Sequence, residues 1–320
     1  VRNLDEAAWR TPPRRRLPLL TWTACALCIL FTAAYWVNPS IHAPILADLR
    51  NSSALPPSEV WDGRYYSLLT SVFVHANLIH LGFDLLWLYA LGSALEETLH
   101  PLAWLLFFVA SGVVGGGCEL ALTGHTAIGA SGVDYAMFGL MWAGRRQVPR
   151  WQSIATPTNL KYLLIWGALC VVATITHLMA IGNAAHAGGF LLGLSAGWLF
   201  IAKRRHVAAS LSMAGLFALT VCSVWWMPWS GNWTEWKGDE AHQLGHLREA
   251  LTWYRRSIRL GQDPLEVLPR IAGIQQELGD YAGAGKTMLD WFRVQQSRQQ
   301  KAAHANTRRT PTAPDELDQP

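Results

Sequence analysis

Ser131 stands in the string Gly129-Ala130-Ser131-Gly132, which opens an apolar run interrupted by Asp134 before Arg145. Glycines beside a serine let the backbone turn sharply, so that the hydroxyl and its own N–H can face a reacting carbonyl. That makes Ser131 a candidate nucleophile, with Gly129 in the turn that presents it. The same string also caps or packs helices, so the assignment needs a base. A base stands in Asn183-Ala184-Ala185-His186-Ala187-Gly188-Gly189. Gly189, Gly193 and Gly197 recur every four residues and give that segment a bare face that another helix can approach. His186, three residues before Gly189, projects from this face. If the facing helix is the one Ser131 opens, His186 meets Ser131, and Tyr135, one turn below, can stack on the imidazole.

The elements that must position these groups are membrane spans. The 320 residues are 51% hydrophobic and 15% charged, with 17 Trp, and the apolar excess lies in blocks between residues 17 and 227. Each block but one is long enough to cross a hydrocarbon core of about 30 Å. Spans are expected at 17–37, 78–95, 102–122, 131–144, 160–180, 183–202 and 207–226. The fourth, about 14 residues or 21 Å of helix, is too short to cross from face to face, which sets Ser131 below the membrane surface. Arg10, Arg14, Arg15 and Arg16 precede the first span. The arrangement could be a secretory signal, but its length and the spans that follow favour a retained anchor with a cytoplasmic N-terminus. Arg145, Arg146, Arg150 and Lys161, and then Lys203, Arg204 and Arg205, fall on the same side if every span crosses once, as the positive-inside bias requires. The net charge of +4 therefore reports orientation and gives no case for nucleic acid. An odd number of spans puts the C-terminal part outside, in the periplasm of a two-membrane cell.

Ionisable groups at membrane depth mark a cavity or a site. The second span carries His80 and Asp84, with His75 just before it, and the third carries Glu119, to which no role is assigned. Asp134 is expected to be a carboxylate solvated in the cavity mouth, with membership of a catalytic triad as the alternative. His125 and His177 are expected to be solvated in flanking loops. The five cysteines all lie in apolar segments and read as buried packing residues, the Cys25-x-x-Cys28 spacing included. No metal site and no cofactor is expected. The long connection 38–72, with Pro39, Pro44, Pro56 and Pro57, is expected to lie partly in the headgroups around residues 61–66.

Beyond Trp233 the composition becomes that of a soluble domain. Leu244-Gly245-His246-Leu247-Arg248-Glu249-Ala250 recurs as Leu278-Gly279-Asp280-Tyr281-Ala282-Gly283-Ala284. The offset is that of the tetratricopeptide repeat, about 34 residues. Tyr254, Ile258, Leu260, Asp263 and Pro264 fall where that repeat wants an aromatic, packing residues and a helix break; a generic helical hairpin is the alternative. The organisation expected is therefore a cytoplasmic arm 1–16, a membrane domain 17–229, a helical-repeat domain 233–295 and a disordered tail 296–320. The fold class is all-α, a polytopic membrane bundle with a small soluble helical domain.

Three motifs together resemble the rhomboid family of intramembrane serine proteases: His75-x4-His80-x3-Asp84 on the second span, Gly129-Ala130-Ser131-Gly132 opening the fourth, and Ala185-His186-x2-Gly189-x3-Gly193 on the sixth. The likeness covers about residues 17–202, a six-span core, with the seventh span and the repeats added. It implies a Ser131–His186 dyad without a third carboxylate, and an oxyanion held by the Ser131 N–H, the His80 side chain and the side chain at position 84. The family usually has asparagine there, an amide that donates; Asp84 donates only when protonated. Asp84 can be neutral and replace the amide, or pair with His80 or His75 and withdraw donors from the oxyanion. The family's frequent Trp-Arg pair in the first loop is also missing, with Tyr66-Ser67 in its place and Arg64 nearby.

The function expected is hydrolysis of peptide bonds in transmembrane protein substrates within the bilayer of the inner membrane. Gly, Ala, Ser or Pro near the cut would let the substrate helix unwind. The alternatives are an inactive rhomboid-like scaffold that binds client proteins, favoured by Asp84, and a proton-coupled carrier using His80, Asp84 and His186, which lacks an evident through-path. The repeat domain offers a surface for a periplasmic protein or peptide.

Overall fold

The computed structural model describes residues 17–36, 55–203 and 205–307. The N-terminal arm, the proline-rich start of the first connection and the tail from residue 308 lie outside them. Among the described residues the chain forms thirteen helices and no strand. It divides between Met227 and Pro228 into two compact units.

In the first unit, α1 (Leu19–Trp36), α4 (Leu78–Glu96), α5 (Pro101–Thr123), α7 (Pro157–Ile175), α8 (Asn183–Ala196, continued by a π-helical turn Gly197–Ile201) and α9 (His206–Trp225) are long and apolar enough to cross a membrane. The short α6 (Ser131–Gly144), of 14 residues, packs in their midst against α8, α4 and α5. Its residues from Val133 to Met141 are all buried. Between α1 and α4 lie two further short helices, α2 (Pro57–Trp61) and α3 (Ser67–Thr70), and a 3-10 turn Ser71–Phe73.

The helix ends follow the local chemistry. Asn77 caps α4 by accepting the His80 N–H at 2.9 Å, and Thr156 caps α7 by accepting the Asn159 N–H at 3.0 Å, with Pro157 in the first turn where a missing N–H costs nothing. α5 begins at Pro101 and ends on Gly124 in the left-handed region. The start of α1 is capped from a distance: the Glu96 carboxylate accepts the N–H groups of Leu20 and Thr21, each at 2.9 Å. An ion pair between Arg150 and Glu97 at 3.0 Å and a bond from Trp151 Nε1 to Thr98 Oγ1 at 3.0 Å join the α4–α5 and α6–α7 connections at that same end of the bundle. Successive helices therefore alternate in direction, as single crossings require.

The close contact at the centre is set by glycine. A Cβ at Gly189 would collide with the Gly132 carbonyl, and one at Gly193 with the Ala136 carbonyl. In lipid there is no hydrophobic gain from joining two apolar helices, so such backbone approach is what holds α6 against α8. By contrast α7 touches the bundle lightly: Leu163 and Cys170 alone among its residues are buried. It ends at Ile175, earlier than the span expected to 180, and residues 176–182 form a loop with His177 exposed. Trp61, expected at the headgroups, is buried and donates its Nε1–H to the Ser223 carbonyl of α9 at 2.9 Å, while Tyr65 and Tyr66 are exposed.

The second unit contains α10 (Gly231–Gln243), α11 (Leu247–Arg259), α12 (Pro264–Glu277) and α13 (Tyr281–Thr307). They form two hairpins, α10 with α11 and α12 with α13, around Ala250, Leu251, Tyr254, Val267, Ile271 and Ile274. The two hairpin loops match residue for residue. Gly245 and Gly279 have φ of +75° and +79°, and the N–H groups of Leu244, Gly245 and His246 find the carbonyls of Glu240, His242 and Ala241 as those of Leu278, Gly279 and Asp280 find Ile274, Gln276 and Gln275. Asp263 caps α12 through the Leu265 N–H at 2.8 Å. The order expected to end at 295 continues: α13 runs to Thr307. Arg298, nearly five turns into that helix, makes two 2.7 Å bonds to Asp263, a contact that sequence composition alone does not reveal.

Candidate active site

α6 delivers Ser131 as its first residue. Before it the chain turns at Gly129, whose φ of +106° and whose position against His80, 2.6 Å from where a Cβ would stand, admit glycine alone. The Gly129 N–H is tied to the Ser71 carbonyl at 3.1 Å. α8 delivers His186 in its first turn. The glycine contact described above brings the two helix starts together, and Ser131 Oγ lies 2.7 Å from His186 Nε2.

The imidazole is held by stacking. Its ring lies on Tyr135 with centroids 4.6 Å apart and planes 6° from parallel, and the Tyr135 hydroxyl is fixed by the Leu163 carbonyl at 3.1 Å. His186 Nδ1 is buried and meets no hydrogen-bond partner among the described residues. Among the described residues no carboxylate is hydrogen-bonded to the ring, so the pair is a dyad in geometry.

On the other side of Ser131, α4 brings up Asp84 and His80. Asp84 Oδ2 accepts the Ser131 N–H at 3.0 Å and lies 3.1 Å from His75 Nε2 and 3.4 Å from His80 Nε2. His75 is fully buried, with Nδ1 3.0 Å from the Thr32 hydroxyl of α1. Of the two arrangements open to Asp84, the geometry is the paired one: the carboxyl accepts the backbone donor of the nucleophile itself.

These groups face a cavity of about 1700 Å³, lined among others by Ser131, His186, His80, Asp84, Gly129 and Glu119. The structure thus gathers every residue singled out for the site: Ser131, His186, His80, Asp84, Gly129, Tyr135 and, behind Asp84, His75. His125 lines the cavity and is exposed.

Asp134 departs from expectation. It is 5% exposed, and its Oδ1 is buried without a hydrogen-bond partner among the described residues. It is neither a carboxylate in the cavity mouth nor a partner of His186. Ser131 lines the cavity, whereas Asp134, three residues on, does not. Two supporting groups carried no sequence assignment, Thr32 and Glu119. Glu119 accepts the N–H groups of Ala184 and Ala185 at 2.8 and 3.0 Å. The signal that points to it is negative: α8 begins on Gly182, which has no side chain to cap it.

The membrane bundle pairs a serine and a histidine at the starts of two glycine-packed helices, and in the comparison with known families residues 62–203 match the Rhomboid domain. The chain is a multi-pass membrane protein whose residues 62–203 are similar to that domain. Among individual proteins, it is 31% identical over 140 residues to the rhomboid protease GlpG of Serratia proteamaculans (strain 568), covering 43% of this chain and 49% of that protein. It is 30% identical over 128 residues to the rhomboid proteases GlpG of Yersinia pestis (strain Pestoides F) and Yersinia pseudotuberculosis serotype O:3 (strain YPIII), covering 39% of this chain and 45% of each. The chain thus spans about half the length of the curated relatives it matches.

Proposed function

We propose that the membrane unit is an intramembrane serine protease that cuts membrane-anchored proteins with a Ser131–His186 dyad. The observation that carries this is the 2.7 Å contact between Ser131 Oγ and His186 Nε2 at the wall of a large cavity. Ser131 Oγ attacks the scissile carbonyl while Nε2 takes its proton, and the carbonyl electron pair moves onto oxygen. Collapse of the tetrahedral intermediate breaks the C–N bond, and His186 returns the proton to the leaving amine. Water then attacks the acyl-serine with His186 again as base, the acyl C–Oγ bond breaks, and His186 returns the proton to Ser131 Oγ as the acid product leaves. The Ser131 N–H and the His80 side chain are the donors for the oxyanion. Asp84 occupies the Ser131 N–H in the resting site and opposes the developing charge, which makes the protein a slow protease.

The substrates are transmembrane proteins cut near the outer end of their span. The arginine clusters support a cytoplasmic N-terminus in the inner membrane and a periplasmic second unit, from residue 228 on. The matching hairpin loops support reading that unit as tetratricopeptide-like, with a protein or peptide docking on its helical surface. Removing it should leave cleavage of generic model substrates intact.

The test is labelling of the detergent-purified chain by a fluorophosphonate, which reports an activated serine. Wild-type labelling that disappears in Ser131→Ala and His186→Ala supports the dyad. A wild type and an Asp84→Asn variant that both fail to label overturn it.

A further inference from the structure

α8 begins without a cap of its own. Gly182 stands at its N-cap and supplies no side chain, yet the helix carries His186 in its first turn, where the position of the whole segment sets the reach of the imidazole. The free N–H groups of that turn are taken by Glu119, 65 residues away in sequence from Ala184. One oxygen, Oε2, accepts both the Ala184 and Ala185 N–H at 2.8 and 3.0 Å. Glu119 is 5% exposed and sits on α5, and α5 packs against both α6 and α8. Asn183 adds a second tether, its amide donating to Thr174 Oγ1 at 2.8 Å.

We infer that Glu119 is a positioning residue for the proposed protease: it fixes the axial position of α8 and so holds His186 Nε2 in hydrogen-bond reach of Ser131. This rests on the dyad reading. The glycine face holds α8 laterally against α6, but a smooth face resists sliding weakly. The Glu119 carboxylate, at the helix end and on a third helix, supplies the axial stop. Anionic oxygen at a helix N-terminus is also favourable toward the aligned peptide dipoles. Glu119 touches neither Ser131 nor His186 through a hydrogen bond, so its effect passes entirely through α8.

The experiment compares the full chain in detergent micelles with Glu119→Leu, Glu119→Gln and Glu119→Asp. Amide exchange across residues 182–190 reads the cap, and the fluorophosphonate labelling rate with kcat and KM on a transmembrane model substrate reads the dyad. In Glu119→Leu, exchange of that segment rises by about ten-fold, because two N–H groups lose a strong partner. Labelling and kcat fall by about 100-fold, the cost of a displacement of the order of 1 Å, while KM stays within about two-fold of wild type. Glu119→Gln keeps an acceptor oxygen and restores all readouts to within about three-fold of wild type. Glu119→Asp keeps the charge on a shorter stem and falls between, which preserves the test if the leucine variant does not fold. Wild-type exchange or wild-type kcat in Glu119→Leu overturns the assignment, as does a Glu119→Gln variant as impaired as Glu119→Leu. A wild type that does not label, with exchange still accelerated in Glu119→Leu, refutes the dyad and supports the cap.

Discussion

Asp84→Asn separates the chemistry of the proposed site from its architecture. In the wild type Asp84 Oδ2 accepts the Ser131 N–H at 3.0 Å and stands within 3.1 and 3.4 Å of the two histidine Nε2 atoms. Groups that would serve the oxyanion are therefore turned to a carboxyl oxygen. An amide has the same size and shape, and with its NH2 in the place of Oδ2 it no longer accepts the Ser131 N–H and offers a donor there. Replacing an acceptor by a donor at an oxyanion site is worth about 2.7–4 kcal/mol, or about 10²–10³ in kcat. The oxyanion exists only beyond the ground state, so KM should hardly move. Loss of the contacts made by the acid should lower stability by about 1 kcal/mol. The assay is initial-rate cleavage of a transmembrane model substrate with Gly and Ala near the cut, in proteoliposomes, with melting temperatures measured in parallel. A kcat equal to or below wild type in a variant that melts normally refutes the account, and so does a gain confined to KM.

Gly193→Val should abolish labelling and lower the melting temperature sharply, by about 3 kcal/mol or more, because the new side chain meets the Ala136 backbone, which cannot rotate away. In the second unit, the buried Tyr254 donates to Asp239 at 2.6 Å and Asp239 also accepts from Arg270 at 2.8 Å. Tyr254→Phe should cost about 1–2 kcal/mol, read as faster amide exchange over residues 231–277, with fluorophosphonate labelling unchanged. The Arg298 guanidinium holds the Asp263 carboxyl below its ordinary value. A carboxyl depressed in the folded state contributes stability that is present above its unfolded value, about 3.9, and is lost as pH falls through the folded one. Protection of the start of α12 should therefore decline below about pH 4, and Arg298→Gln should remove that acid dependence; an unchanged pH profile in the variant would refute the pairing.

The spans, the short fourth helix and the pairing of Ser131 with His186 were legible because each has a local signal: length, hydropathy, or glycine at a four-residue spacing. Asp134 was not. Its place three residues after Ser131 suggests a shared face, but Asp134 is buried and does not line the cavity that Ser131 faces. Glu119 stood out only as an ionisable group at membrane depth with no role, and Thr32 was silent, since each acts on a partner from another helix and carries no motif of its own. The end of α13 was misread for a related reason. Gln, Thr, Pro and charge after residue 295 read as a disordered tail, whereas Arg298 is anchored to the cap of α12 by a contact across the hairpin.

A dyad without a third member has to obtain its orientation from packing, and the structure shows where each degree of freedom goes. The lateral approach of α8 to α6 is set by Gly189 and Gly193, where only hydrogen fits. The tilt of the imidazole is set by the parallel Tyr135 ring, itself tied to α7. The axial position of α8 is assigned here to Glu119 on α5. Three different helices thus stand in for the single carboxylate that orients the histidine of a triad. The arrangement suits a site at membrane depth, since rings and glycine faces need no desolvation and the one carboxylate among the three, Glu119, is held by two backbone N–H groups. On this view the acid at position 84 is costly for its chemistry rather than for its geometry, which is why a one-atom change there should raise turnover while changes at Gly193 or Glu119 should lower it.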